Sequence, residues 1–309
     1  ATRQGAPPAR ARHPPGRATR QGAPPARARL PNRARLAHSG ETAAMTATPP
    51  PDFEHLLVSC DGRRGTLTLN RPEALNALSN QTMAEIIEAA RWFDHQPDLR
   101  VVVVQGAGRA FCAGADITAF ADTGPSPAGG RVPGDTGRLM AEALEHMAPV
   151  TIARLHGHVV GGGLVLAAAC DLRVASDDVR FSIPEVDLGI PLAWGGIPRL
   201  VREIGPALTK ELVMTCRPFG ADEARAAGFL NRVVPGDQLD DAVEELAEAV
   251  ASRPRYAVLA TKAHTNAVTE QMVGLARSWS DADGLAGGLR DAEGRASREA
   301  YLAKLQKKR

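Results

Sequence analysis

From Phe53 onward the chain alternates short β-branched or apolar runs with longer stretches of helical periodicity, and that alternation points to an α/β fold. Leu56–Cys60 and Gly65–Asn70 read as strands paired across the turn at Asp61-Gly62. Leu78–Trp92 is amphipathic, with Ser79 positioned to cap its first turn. Val101–Gln105 reads as a buried strand, and Val150–Arg154 with Val159–Val160 supplies the next strand region. A helix is expected over Gly162–Cys170, then strands at Leu172–Ala175 and Arg180–Ser182. Helices follow at about Gly196–Glu203, Ala207–Met214, Ala221–Ala227, Leu239–Ala251, Tyr256–Val268, Glu270–Arg277 and Ala292–Lys307, so β-rich units come early and helices late.

The stretch before Phe53 differs in kind. Ala1–Arg12, ATRQGAPPARAR, recurs unchanged at Ala18–Arg29, and a segment made mostly of Ala, Arg, Pro and Gly cannot build a core. Residues 1–44 hold nine Arg against the single acid Glu41, a net of +8; since the whole chain is +2, the remainder carries about −6. The folded part is therefore acidic, and charge gives nucleic-acid binding little support there. The leader reads as a dispensable extension ahead of a start at Met45, with a basic arm for nucleic acid or anionic lipid as the competing reading. It is rich in Arg like an organellar transit peptide but lacks an amphipathic apolar face, and no apolar signal segment marks secretion. No run approaches the ~20 apolar residues of a spanning helix, so no membrane partner is expected. Cys60, Cys112, Cys170 and Cys216 are far apart and form no CxxC pair; neither a zinc ribbon nor a disulfide framework is indicated, and a reducing cytoplasm is the expected location.

Two glycine-containing turns have the right chemistry to present backbone N–H groups to an anion. In Phe111–Ile117, FCAGADI, the small residues Ala113, Gly114 and Ala115 let a ligand approach the main chain. Gly161-Gly162-Gly163 lies between a strand and an apolar helix, whose N-terminus offers unpaired donors. One donor from each turn would make an oxyanion hole; either turn alone is equally compatible with close packing. The triple glycine departs from GxGxxG, and no GxxxxGK[ST] loop is present, which removes nicotinamide and ATP readings.

Leu69–Ser79 (LNRPEALNALS), Gly108–Ile117 (GRAFCAGADI), Gly157–Asp171 (GHVVGGGLVLAAACD) and Phe181–Leu200 (FSIPEVDLGIPLAWGGIPRL) resemble, in order, the signature blocks of the enoyl-CoA hydratase/isomerase family, the crotonases. The resemblance implies a crotonase-like spiral of ββα units over residues 53–250. It also implies a helical C-terminal region, 251–309, that closes the site and builds a homotrimer or a hexamer of two trimers. Residues 1–52 remain a disordered extension. By the same matching the oxyanion hole falls on the N–H groups of Ala115 and Gly162, and Ala74, Leu75, Ala113, Asp116 and Ile117 lie near the adenine and pantetheine of coenzyme A. Coenzyme A enters as part of the thioester substrate, with no prosthetic group.

Family members that hydrate 2-enoyl thioesters carry two glutamates in this region, and the matching positions here are Val165 and Glu185. A valine can neither activate water nor donate a proton, whereas efficient water addition uses two positioned groups. One carboxyl suffices to shift a double bond from the 3 to the 2 position, so the resemblance favours an isomerase with Glu185 as proton shuttle. Val165 and Ile183 are expected to form an apolar wall that raises the Glu185 pKa. A slow hydratase, a non-catalytic acyl-CoA binder and a thioester hydrolase remain open. The aspartate that dienoyl-CoA isomerases and dihydroxynaphthoyl-CoA synthases carry beyond this glutamate is replaced by Leu192 or Ala193. Trp194 stands where the family commonly has a small residue; it either narrows the acyl pocket or fills a core gap. His156 and His158 lack a third ligand for a metal, Cys112 reads as a packing residue, and Asp187 is either a second acid or structural. Thr118–Arg138 is expected to form a loop over the acyl site.

Overall fold

The β-branched run at Val101 lies in the middle of the molecule, and the rest of the architecture follows from what its two faces bury. In a computed structural model, which describes residues 48–116 and 131–307, β1 (Leu56–Asp61) pairs antiparallel with β2 (Arg64–Leu69). A short 3₁₀ turn at Pro72–Ala74 and α1 (Asn80–Asp94) follow, and the Ser79 hydroxyl caps α1 by accepting from the Thr82 N–H at 3.1 Å, as expected. β3 (Val101–Gly106) then runs parallel to β2. After it come α2 (Arg131–His146), β4 (Val150–Leu155), β5 (His158–Val160), α3 (Gly162–Ala168), β6 (Leu172–Ser176) and β7 (Arg180–Ser182). The helical part comprises α4 (Gly196–Thr215), α5 (Ala221–Ala226), α6 (Leu239–Ala251), α7 (Arg255–Met272), α8 (Asp281–Arg290) and α9 (Ala292–Gln306), with short strands β8 (Phe219–Gly220) and β9 (Arg232–Val234) among them.

The strands form two layers. The larger sheet has the order β1-β2-β3-β4-β6-β9, parallel from β2 onward, and the smaller has the order β5-β7-β8. Single-residue parallel bridges, Leu78 to Ala115 and Cys112 to Val159, continue the second layer toward the start of the chain. Each turn of the chain thus lays one strand in the large sheet, one short segment in the second layer and one helix. This is the spiral of ββα units that the resemblance implies.

Alternating residues explain why the first four residues of β3, Val101–Val104, are all apolar. Val102 and Val104 enter the main core with Phe93, Phe111 and Phe181, while Val101 joins Ile152 and Val174 under Leu239, Val243 and Ala247 of α6. Both faces of the large sheet are covered, as parallel sheets require.

Several helix boundaries differ from expectation. Of Thr118–Arg138, expected as a loop, residues 118–130 lie outside the described residues and Arg131–Arg138 is the first half of α2. The expected helices Gly196–Glu203 and Ala207–Met214 are halves of α4, broken where Gly205 takes a positive φ of 75° before Pro206. Tyr256–Val268 extends unbroken to Met272, and Glu270–Arg277 is replaced by the end of α7 and a 3₁₀ turn at Leu275–Ser280. At the other end, Thr48 and Pro49, within the stretch assigned to the extension, accept hydrogen bonds from the Trp92 indole N–H.

Among the side chains of α7 only Lys262 is buried. Its Nζ donates to Pro149 O at 2.9 Å and pairs with Asp171 Oδ2 at 2.7 Å, and Asp171 also accepts from the N–H and hydroxyl of Thr151. Lys262→Met keeps the apolar stem but leaves Asp171 with the Thr151 bonds alone. It is expected to cost about 2–4 kcal/mol, read as a lowered denaturant midpoint, with faster amide exchange in α7. Unchanged stability would remove Lys262 as the pin between α7 and the core.

Candidate active site

The second layer brings three distant parts of the chain side by side. Cys112 N–H donates to His158 O, Val160 N–H to Cys112 O and Gly161 N–H to Ser182 O, at 3.1, 3.0 and 2.9 Å. Ala115 therefore lies beside the Gly161-Gly162-Gly163 turn, which in turn lies beside the segment carrying Glu185. Ala115, Gly162, Val165 and Glu185 line one cavity together with Ile190, Pro191, Leu192, Ala193, Trp194 and Leu285.

Each turn is held by its own sequence. Gly161 precedes α3 with φ 48° and ψ −113°, a conformation L-residues avoid. A β-carbon on it would lie 2.3 Å from Glu185 Oε1, so only glycine lets the carboxyl rest there. Gly162 opens α3, whose first N–H groups have no partner inside the helix. The other turn is fastened from behind. Leu78 N–H donates to Gly114 O and Asp116 N–H to Leu78 O, and Ala113 N–H donates to Leu75 O. For neither Ala115 N–H nor Gly162 N–H is an acceptor found among the described residues.

Asn76, 1% exposed, accepts from Arg71 N–H and donates to Ala107 O and Ala110 O, tying the Leu75-Asn76 turn to the loop after β3. Both residues of that turn have positive φ. Sequence reasoning did not single out Asn76, although an asparagine in a turn between strand and helix is a recognisable signal.

Glu185 follows β7, and its Oε2 is fully enclosed without a hydrogen-bond partner. Burial pushes its carboxyl up to about 7, with only its own N–H acting in the other direction. Val165, one turn into α3, faces the same cavity. Ile183, expected in that wall, is instead 0% exposed in the main core, and Ile190 and Leu192 supply the apolar surface. Leu285 arrives from α8, a Gly-rich segment with no sequence signal for a site.

The remaining predicted residues separate from this cavity. Ala74 and Leu75 sit at the 3₁₀ turn, next to Ala113 through the Leu75 carbonyl, and Asp116 pairs with Arg71 at 3.1 Å. Ile117 lies outside the described residues. Asp187 is exposed. Cys112 is buried, donates to Asn76 O at 3.1 Å, and is pushed up to about 12 by burial, which suits packing rather than nucleophilic attack. His156 engages both ring nitrogens, with Gly108 O at 2.9 Å and Arg154 Nη1 at 3.0 Å.

The enclosed carboxyl has a consequence for stability. Folding favours its protonated form, so between about pH 4.5 and 7 the folded chain holds more protons than the unfolded chain, and stability falls as pH rises through that window. Glu185→Gln should remove this slope and exceed wild type at pH 8 by at most ~3 kcal/mol. Denaturation curves that run parallel at every pH would show that the carboxyl is not held in this state.

Known proteins share this arrangement of chain. The family model for enoyl-CoA hydratase/isomerase matches residues 65–308. A probable enoyl-CoA hydratase of Mycobacterium bovis is 41% identical over 189 residues, 60% of this chain and 71% of that protein. A peroxisomal Δ(3,5)-Δ(2,4)-dienoyl-CoA isomerase of Arabidopsis thaliana is 35% identical over 208 residues, 64% of this chain and 75% of its own. The crystal structure of an enoyl-CoA hydratase/isomerase from Xanthobacter autotrophicus Py2 superposes with a TM-score of 0.74 at 26% identity, covering 83% of this chain and 94% of that one. With four ordered sequence blocks, a two-layer spiral and a family match over most of its length, the chain belongs to the enoyl-CoA hydratase/isomerase family.

Proposed function

We propose that the protein shifts the double bond of a 3-enoyl-CoA to the 2 position, with Glu185 as the proton shuttle. The observation that carries this is that Glu185 is the single carboxyl among the described residues lining the cavity. Glu185 stands beside Gly161, and Val165 occupies the position where a second carboxyl would serve water addition. The Glu185 carboxylate takes a proton from C2, and the electron pair moves onto the thioester oxygen, which the N–H groups of Ala115 and Gly162 receive. The carboxylic acid then returns the proton to C4 as the enolate collapses, leaving the double bond between C2 and C3. A carboxyl raised to about 7 suits both halves, because it is neither too weak a base nor too weak an acid near neutral pH. Preorganised N–H donors facing the developing oxyanion each contribute on the order of 3 kcal/mol to such steps.

In this reading Ala74, Leu75, Ala113, Asp116 and Ile117 lie along the adenine and pantetheine of the substrate. The exposed apolar residues Tyr256, Val268 and Met272 of α7 belong to a subunit interface of the trimer or hexamer that the family implies. A second reading, hydration of 2-enoyl-CoA by Glu185 and one bound water, is favoured by the hydratase name of the mycobacterial relative.

Turnover of 3-enoyl-CoA and 2-enoyl-CoA substrates, measured side by side for wild type and Glu185→Gln, separates the two. Isomerisation without hydration, reduced about 10²–10⁴-fold in the variant, is the expected result. The wild-type kcat/KM should rise with pH through about 7, since the base must be ionised to begin, and the variant should lack that limb. Comparable hydration of the 2-enoyl substrate moves the assignment to the second reading. Binding without any turnover makes the protein an acyl-CoA binder.

A further inference from the structure

Trp194 is the residue of the cavity that the proposed chemistry leaves unused, and its geometry is unusual in three independent ways. Its ring packs directly on the backbone that holds the substrate carbonyl in our reading: a β-carbon at Gly162 would lie 2.2 Å from Trp194 Cζ3 and 3.0 Å from Cε3. On the opposite side a β-carbon at Gly137 of α2 would lie within 2.2–2.3 Å of the indole Cε2, Cδ2 and Nε1. Two glycines from different elements thus leave a slot that one indole fills, and Trp194 is 5% exposed within it. Finally, its backbone has a φ of 60°, a left-handed conformation that a bulky residue adopts only when the surroundings impose it.

Those surroundings are visible. Arg199 Nη1 donates to Trp194 O at 3.0 Å and to Gly195 O at 3.2 Å, and Arg199 Nη2 donates to Glu145 Oε2 at 2.5 Å. Arg202 also pairs with Glu145, so the carboxylate between the two guanidiniums is anchored on both sides. Gly195 N–H donates to Asp281 Oδ2 at 2.8 Å. The backbone of the Trp194-Gly195 turn is therefore held from α4 and α8, while the indole itself lies between Gly162 of α3 and Gly137 of α2. It acts as a fixed wall and not as a swinging gate, because the slot between the two glycines is filled and moving the turn would break bonds to a buried arginine and to Asp281.

We infer that Trp194 sets the acyl length this protein accepts, ending the pocket close to the carbonyl. The indole already touches Gly162, so a short acyl group lies beside the ring, whereas a longer straight chain meets it. The inference rests on the acyl-CoA reading of the cavity, though not on which reaction Glu185 performs. Among the described residues the remaining lining, Val165, Ile190, Leu192 and Leu285, is apolar. The substrate class is thus a short acyl thioester.

Calorimetric titration with butyryl-CoA and decanoyl-CoA, both saturated and so bound without turnover, tests this on wild type, Trp194→Ala and Trp194→Phe. Wild type should bind butyryl-CoA at least about tenfold more tightly than decanoyl-CoA, and Trp194→Ala should abolish or reverse that ratio. Trp194→Phe, which keeps most of the ring volume, should shift it part of the way and decides the matter if the alanine variant does not fold. Equal affinities in wild type, or a ratio unchanged by either substitution, would overturn the inference. Failure of both ligands to bind wild type would remove the acyl-CoA reading itself, and absent turnover with an intact binding ratio would remove only the proposed reaction.

Discussion

Parallel pairing in the second layer is the constraint on which everything at the site depends. Ala115, Gly162 and Glu185 belong to different turns of the spiral, and they meet because Cys112 is bridged to Val159 and β5 is paired with β7 in a fixed register. Each hydrogen bond of that ladder contributes on the order of 1 kcal/mol, yet the register matters more than the sum. A slip of one residue would turn every side chain to the opposite face. It would also separate Gly161 from the carbonyl of Ser182 that holds it under the Glu185 carboxyl. The large sheet, with both faces buried, supplies the rigid frame that keeps these short segments aligned.

From that alignment the electrostatics follow. The turns of Ala115 and Gly162 present N–H groups, which stabilise negative charge on a bound oxygen, while the facing surface is apolar and penalises charge on the neighbouring carboxyl. The same cavity is thus permissive toward an oxyanion at one end and reluctant toward a carboxylate at the other, which in the proposed reaction lets a carboxyl near neutrality and an enolate share one pocket. Position 165 governs the balance. It sits one turn along α3 from Gly162, and its side chain lines the same cavity as Glu185. A carboxyl there would repel the charge on Glu185 and bring water with it; valine does neither.

Much of this was legible in the sequence. Apolar runs and helical patterns located the strands of the large sheet except β9, and most helices, and ordered motifs identified Ala115, Gly162, Val165 and Glu185 as neighbours in space. What escaped has physical causes. The first links of the second layer are single-residue bridges at Leu78 and Cys112, too short to carry a periodic signal. The start of α2, RVPGDTG, reads as a loop because glycine and proline disfavour helix. Gly137 is there because the indole of Trp194 occupies the space of its missing side chain, and tertiary contact overrides propensity. Neither Leu285 nor Asp281 announces itself, since each acts on a residue almost a hundred positions earlier in the chain. Nearness in sequence to Glu185 places Ile183 in the wall, but it is fully buried and not among the residues that line the cavity.

The Trp194-Gly195 turn shows why core and C-terminal helices cannot be treated separately. A left-handed tryptophan carries backbone strain of about 1–2 kcal/mol. The bonds from Arg199 to its carbonyl and from Gly195 N–H to Asp281 offset that strain, the second only while α8 is docked. Glu145 contributes from α2: burial alone would push its carboxyl up, but Arg199 and Arg202 outweigh this and hold it below the usual carboxylate range. Charge on Glu145 fixes Arg199, Arg199 fixes the turn, and the turn fixes the wall of the cavity. The cavity face of the spiral is therefore completed by residues that do not line it, and its shape is determined as much by ion pairing behind Trp194 as by the glycines in front of it.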